Sequence, residues 1–179
     1  MTKDIKKLTP AELKKQVKKL DAVQEFVITI GETDYKLTHD IVFRKTKMQK
    51  VLEDMMYFFA EVTEDTIDLL QFATPYSSLL VIKHFTSLEV PNDIQEAIDL
   101  MEVLVDLGAF GEIINTLPEK EVVKVFDLIS QTLEEVQANM DDLAKEAEEL
   151  VDEVQDPELK KALEEVVADK EAVEDNGEV

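Results

Sequence analysis

The residues able to do chemistry in this chain are few and scattered. Cysteine is absent, which removes disulfides, thiolate metal sites and a cysteine nucleophile, and fits a reducing compartment. Imidazole is supplied by His39 and His84 alone, 45 positions apart and without a His-x-x-His or His-Glu-x-x-His context. Zinc there would need acids drawn from elsewhere, so both histidines read as structural or surface residues. Carboxylates are plentiful: Glu134-Glu135, Asp141-Asp142, Glu148-Glu149 and Asp152-Glu153 stand in pairs. Acid/base work demands burial and a fixed separation, whereas these pairs lie on a very polar helical stretch and read as a solvated face. There is no Asp-x-Asp-x-Asp-Gly calcium loop, and Gly31, Gly108, Gly111 and Gly177 are too dispersed for a phosphate loop. The expectation is no catalytic residue, no metal, no cofactor, and no enzyme.

Charge narrows the choice further. Nineteen basic against 41 acidic residues give a formal net charge of −22 over 179 residues, so phosphate backbones and anionic lipids repel the chain. Neither nucleic-acid nor membrane binding is expected. No window approaches the roughly 18 apolar residues of a spanning helix, and the N-terminus has no apolar signal region. A cytoplasmic protein that binds other proteins is the remaining class. The charge is unevenly spread: residues 1–20 carry seven lysines against Asp4 and Glu12, net +5, whereas residues 134–179 hold eighteen acids against four lysines, net −14.

The elements follow from punctuation and periodicity. Thr9-Pro10-Ala11-Glu12 is a capping signal for a short basic helix to about Leu20. Phe26-Val27-Ile28-Thr29-Ile30, a Gly31-Glu32-Thr33-Asp34 turn and Tyr35-Lys36-Leu37-Thr38 predict a β-hairpin with Phe26, Ile28 and Ile30 on one face. Two strands alone are marginal, so the hairpin must pack on helices or extend a sheet through a partner. A capping pair at Thr46 and Gln49 predicts the first core helix, with apolar residues from Val51 to Val62; the stretch Glu64–Phe72 continues or restarts it. Thr74-Pro75 opens a second core helix that ends before Pro91. Asn92 or Asp93 caps a third that ends at Gly108, and Ala109–Asn115 leads to a further start at Thr116-Leu117-Pro118-Glu119. The last series, Val122, Val125, Phe126, Ile129, Leu133 and Val136, keeps helical spacing and fades through Met140, Leu143, Ala147 and Leu150 among acids, so the core is expected to end near residue 140. Asp156-Pro157 divides the acidic tail, whose sparse Leu and Val residues give it a narrow apolar seam.

The predicted fold class is α+β, mostly α: a basic helix over residues 1–22, a hairpin plus helical core over 23–140, and an acidic helical or partly disordered tail over 141–179. The Met- and Phe-rich helix is the best candidate binding surface, through Met48, Val51, Leu52, Met55, Met56 and Phe59, because Met faces adapt to varied partners, although such stripes more often fill a core.

The order of these features, from the strand pair Phe26-Val27-Ile28 and Tyr35-Lys36-Leu37, through Phe43-Arg44-Lys45-Thr46-Lys47 opening a helical domain, to an acidic helical tail, resembles the tail assembly chaperones of long-tailed bacteriophages and prophages of Gram-positive bacteria. Leu79-Leu80-Val81-Ile82-Lys83-His84-Phe85-Thr86 and Leu107-Gly108-Ala109-Phe110 add to the similarity, which covers about residues 24–140. The resemblance implies a protein that coats and solubilises the tape-measure protein in the host cytoplasm, helps recruit tail tube subunits, and is absent from the mature virion, with self-association possible. The competing expectation is an acidic protein inhibitor or DNA mimic that uses the tail's carboxylates.

Overall fold

The structure, a computed structural model, describes residues 7–153 of the chain. The predicted break at Asp156-Pro157 and the final stretch of the tail lie outside the described residues. The chain divides into two compact units, Met1–Asp127 and Leu128–Val179. Among the described residues it is α+β and mostly α, with six α-helices and one two-stranded antiparallel hairpin.

Helix α1 (Pro10–Lys18) starts where Thr9 accepts a hydrogen bond from the Glu12 amide at 3.3 Å, and a 3₁₀ turn (Lys19–Asp21) ends it. None of its residues is buried. Strands β1 (Val23–Ile30) and β2 (Thr33–Asp40) pair with Phe26 opposite Leu37 and Ile28 opposite Tyr35. The two-residue turn works because Gly31 takes φ 63°, the sign that a mirror-type hairpin turn demands at its first position. Ile28, the most deeply buried residue of β1, shares its face with Phe26 and Ile30, as the alternation requires. Beyond the pairing, Thr38 exchanges hydrogen bonds with Ser87, donating its amide to Oγ and accepting from the Ser87 amide, each at 2.9 Å. That contact closes one end of the β2 edge.

Helix α2 (Lys45–Ala60) begins one residue before the expected Thr46, and no side chain caps it: the Lys47 and Met48 amides bond to the Arg44 carbonyl instead. A 3₁₀ segment (Glu64–Phe72), kinked at Thr66, restarts the chain and runs directly into α3 (Ala73–Phe85). The Thr74-Pro75 signal therefore falls inside the first turn of α3, where proline's missing N–H removes a donor that has no intrahelical partner anyway. Asp93 caps α4 (Ile94–Asp106) through a 3.0 Å bond from the Glu96 amide, and Gly108 at φ 71° ends that helix. The segment after it, expected to be a link, is helix α5 (Ala109–Thr116), anchored by buried Ala109 and Ile113. The last helix is α6, unbroken over Glu119–Glu153 through the stretch where the apolar series thins among acids.

The core of the first unit is the α2–α3 pair, with α4 and α5 against α3 and with α5 against β1. Helix α3 supplies its most deeply buried run: Leu79, Leu80, Val81, Ile82 and Phe85 are all at most 1% exposed. So many fully buried positions in one short helix explain why its apolar pattern runs all round rather than along one stripe. Phe43, just before α2, stacks on Phe85 with ring centroids 3.7 Å apart, and its amide donates to Glu121 at 3.1 Å.

Candidate interaction surface

Helix α2 carries two apolar stripes. One turn takes 3.6 residues, so positions 48, 51, 55 and 58 share one side and 52, 56 and 59 an adjoining one. Met48, Val51, Met55 and Phe58 are buried, the last two at 3% and 0% exposure, and Phe58 stacks on Tyr76 of α3 at 4.6 Å. Met56 is 39% exposed, with Leu52 and Phe59 half-buried beside it and Phe59 set edge-on to Phe58. Of the six residues proposed from sequence as the binding face, Met48, Val51 and Met55 thus stand in the core, while Leu52, Met56 and Phe59 line the outer stripe. Tyr57, beside that stripe, is more than half exposed.

The polar side of the same helix pair holds a cluster that the sequence did not suggest. Asp54 of α2 accepts a hydrogen bond from Lys83 Nζ at 2.8 Å, and His84 Nε2 lies 2.9 Å from the same carboxylate oxygen, both partners coming from α3. Burial pushes the Asp54 carboxyl up, but the hydrogen bonds and charges of Lys83 and His84 together outweigh it and hold the group below the usual carboxylate value. Tyr76, buried and near Asp54 and Asp93, is pushed up to about 12, chiefly by its burial. Tyr57 is raised chiefly by the neighbouring Glu61 carboxylate. Among the described residues, no hydroxyl is hydrogen-bonded to His84, and no group of three or more His, Cys, Asp or Glu is placed to hold a metal. The arrangement fastens α2 to α3 at a position where both helices meet solvent.

The other histidine is buried at 2% exposure. Its Nδ1 bonds to the Asp40 carbonyl at 2.9 Å, the ring tilts against Phe26, and Nε2 has no partner. Asp40 in turn accepts from Lys47 at 2.7 Å, joining the end of β2 to the start of α2. Where α5 meets α6, Ile114, Leu117, Val122 and Val123 line an open hollow of about 330 Å³ with Asn115 and Glu119 on it. That volume is at the low end for a small-molecule site, and with so few polar groups it offers an apolar seat rather than a set of convergent ligands.

The geometry defines the protein as a mostly helical α+β domain with a hairpin at one end of its sequence, apolar side chains left open on its helices, and a long acidic helix following. It belongs to the YomO family, whose model matches residues 11–168. The name is of the phage and prophage type, and the match marks the chain as phage-associated. No curated protein and no solved structure matches it. No helix among the described residues is long and apolar enough to cross a membrane.

Proposed function

We propose that this protein is a tail assembly chaperone that binds apolar helices of a phage tape-measure protein through the outer stripe of α2. It acts without catalysis or cofactor, in the host cytoplasm, keeps its client soluble, helps recruit tail tube subunits, and leaves before the virion is complete. The observation that carries this reading is the line Leu52, Met56 and Phe59, exposed in part on a helix whose other apolar side is already used in the core. Anchors at i, i+4 and i+7 match the spacing by which one amphipathic helix docks on another, and a methionine at the centre adapts to successive turns of a long client. Membership of a phage-type family supports the setting. The acidic remainder keeps a protein with open apolar side chains dispersed.

The test is co-expression with the longest helical protein encoded beside this gene. Soluble co-purification is expected with the unaltered chain, with loss on Met56→Glu and retention on Glu135→Gln. A client that stays insoluble with either chain would overturn the reading. Capture instead of a DNA-binding protein, weakened by neutralising the acids of α6 and by salt, would favour the inhibitor or DNA-mimic reading.

A further inference from the structure

Along α6 the apolar residues keep a strict interval. Val122, Phe126, Ile129 and Leu133 are separated by four, three and four positions, and Val136, Met140 and Leu143 continue with three, four and three. The sequence carries the same alternation on to Ala147, Leu150 and Val154. A straight helix fitted to a folded core drifts from such a repeat, because 3.6 residues per turn is not 3.5; apolar residues held at 3.5 over four heptads are the pattern of helices that supercoil around one another. In heptad terms Phe126, Leu133, Met140 and Ala147 occupy a, and Ile129, Val136, Leu143 and Leu150 occupy d.

Two observations and one physical argument show that this seam is unsatisfied in the single chain as far as Leu143. The backbone remains helical throughout, to Glu153. Ile129 is buried and Val136 half-buried, but Leu133 is 37%, Met140 57% and Leu143 63% exposed, so the open part of the seam starts at Leu133. A lone helix of such composition gains little from its own hydrogen bonds in water and depends on covering its apolar side.

We propose that α6 pairs, from Leu133 onward, with α6 of a second copy of this chain to form a two-stranded coiled coil. The repeat and the placement of charge suit that occupant. By heptad position Glu134, Asp141 and Glu148 take b and Glu135, Asp142 and Glu149 take c, whereas the positions that flank the seam from Leu133 onward are Gln137, Ala144 and Val151 at e and Asn139, Glu146 and Glu153 at g. Flanks of opposite charge specify a different partner, and flanks of like charge forbid a copy of the same helix. Here every e position is uncharged, so no g–e pair of a parallel homodimer between Leu133 and Glu153 joins two acids, and the seam is complementary to itself. In a parallel pair Glu146 at g meets Val151 of the other copy rather than a second acid, and Glu153, the other acid at g, is the last described residue of α6. The basic N-terminal segment is a poorer occupant, because most of the acids that would attract it take heptad positions b and c, apart from the apolar seam. The proposal stands apart from the chaperone reading and holds or falls independently of it.

The test is the mass of the full chain in solution by sedimentation equilibrium or light scattering across micromolar concentrations. A dimer of twice 20.4 kDa is expected. Placing lysines in the seam, Met140→Lys with Leu143→Lys, should weaken it by at least about a hundredfold, since a desolvated charge in each strand costs several factors of ten. Both residues are exposed in the single chain, so the first unit should keep its thermal transition. Glu135→Gln with Asp142→Asn, on the outer side, should leave the dimer as tight as before or tighter. A wild-type chain that stays monomeric over that range, a dimer unaffected by the seam lysines, or a dimer that dissociates as salt is raised to roughly 0.5 M, as an ion-paired contact with the basic segment would, each overturns the proposal.

Discussion

Met55 and Met56 are adjacent residues of one type in one helix, and the structure assigns them opposite duties. Met55 is 3% exposed among α3 side chains; Met56 is 39% exposed on the outer stripe. Truncating a buried methionine to alanine loses its transfer free energy and leaves a cavity, about 3 kcal/mol within a usual range of roughly 2–5. At a urea slope of about 2 kcal/mol/M that moves the denaturation midpoint by about 1.5 M, and it lowers the thermal midpoint by about 6–12 °C. Met56→Ala removes side chain that water already wets and substitutes a slightly better helix former, so its effect on stability should stay within about 0.5 kcal/mol. Far-ultraviolet circular dichroism against urea gives both numbers. Client capture should show the reverse order, with Met56→Ala weakening it in a protein of unchanged stability. If the two alanines cost the same stability, or if Met55→Ala is silent, the division of α2 into a core stripe and an outer stripe is wrong.

Three further outcomes follow from local geometry. Gly108→Ala should destabilise by about 1 kcal/mol, because φ 71° strains any residue with a Cβ even in open space, whereas Gly111→Ala, in α5 with nothing near it and no positive φ, should be neutral or stabilising; thermal melts of the two separate the effects. Asp93→Ala removes the carboxylate that accepts from the Glu96 amide and should cost about 1 kcal/mol, measured in the same way. Asp54 is held below its ordinary value of 3.8, so it contributes stability that is complete above that value and is lost as the pH falls through the lower folded-state one. The stability advantage of the wild type over Asp54→Asn, measured by urea titration, should therefore be level near neutral pH and shrink below about pH 4.

What was legible in the sequence was what depends on neighbours in the chain. Thr9, Gly31, Asp93 and Gly108 each announce a helix start, a turn or a helix end through an interaction within a few residues, and each does so in the structure. The hairpin faces followed from alternation, although β1 and β2 extend to Val23 and Asp40 beyond the apolar run, because backbone pairing continues past the residues that announce it. Helix α5 was hidden: Gly111 and Asn115 are poor helix formers, and what holds the eight residues is the burial of Ala109 and Ile113. The Asp54, Lys83 and His84 cluster was out of reach for a similar reason. Its members are some thirty residues apart, and only the packing of α2 on α3 brings them together. The Met-rich face was visible as a stripe, but the count of apolar residues does not say where a wide stripe divides. That division depends on how deeply α2 sits against α3.

The net charge of −22 opposes association between copies of this chain in general, and the position of the acids on α6 decides whether that opposition reaches the seam. With the pairs at positions 134–135, 141–142 and 148–149 assigned by the heptad to b and c of the proposed coil, most of the like charges on two copies are kept apart from the seam. The screening length is about 10 Å at 0.1 M salt and about 3 Å at 1 M, so salt removes most of the remaining repulsion while leaving the apolar contact intact. The proposed dimer should therefore tighten as salt rises. A contact built on the net +5 of residues 1–20 against an acidic helix should loosen over the same range, so the direction of the salt response distinguishes the two ways this unevenly charged chain could assemble.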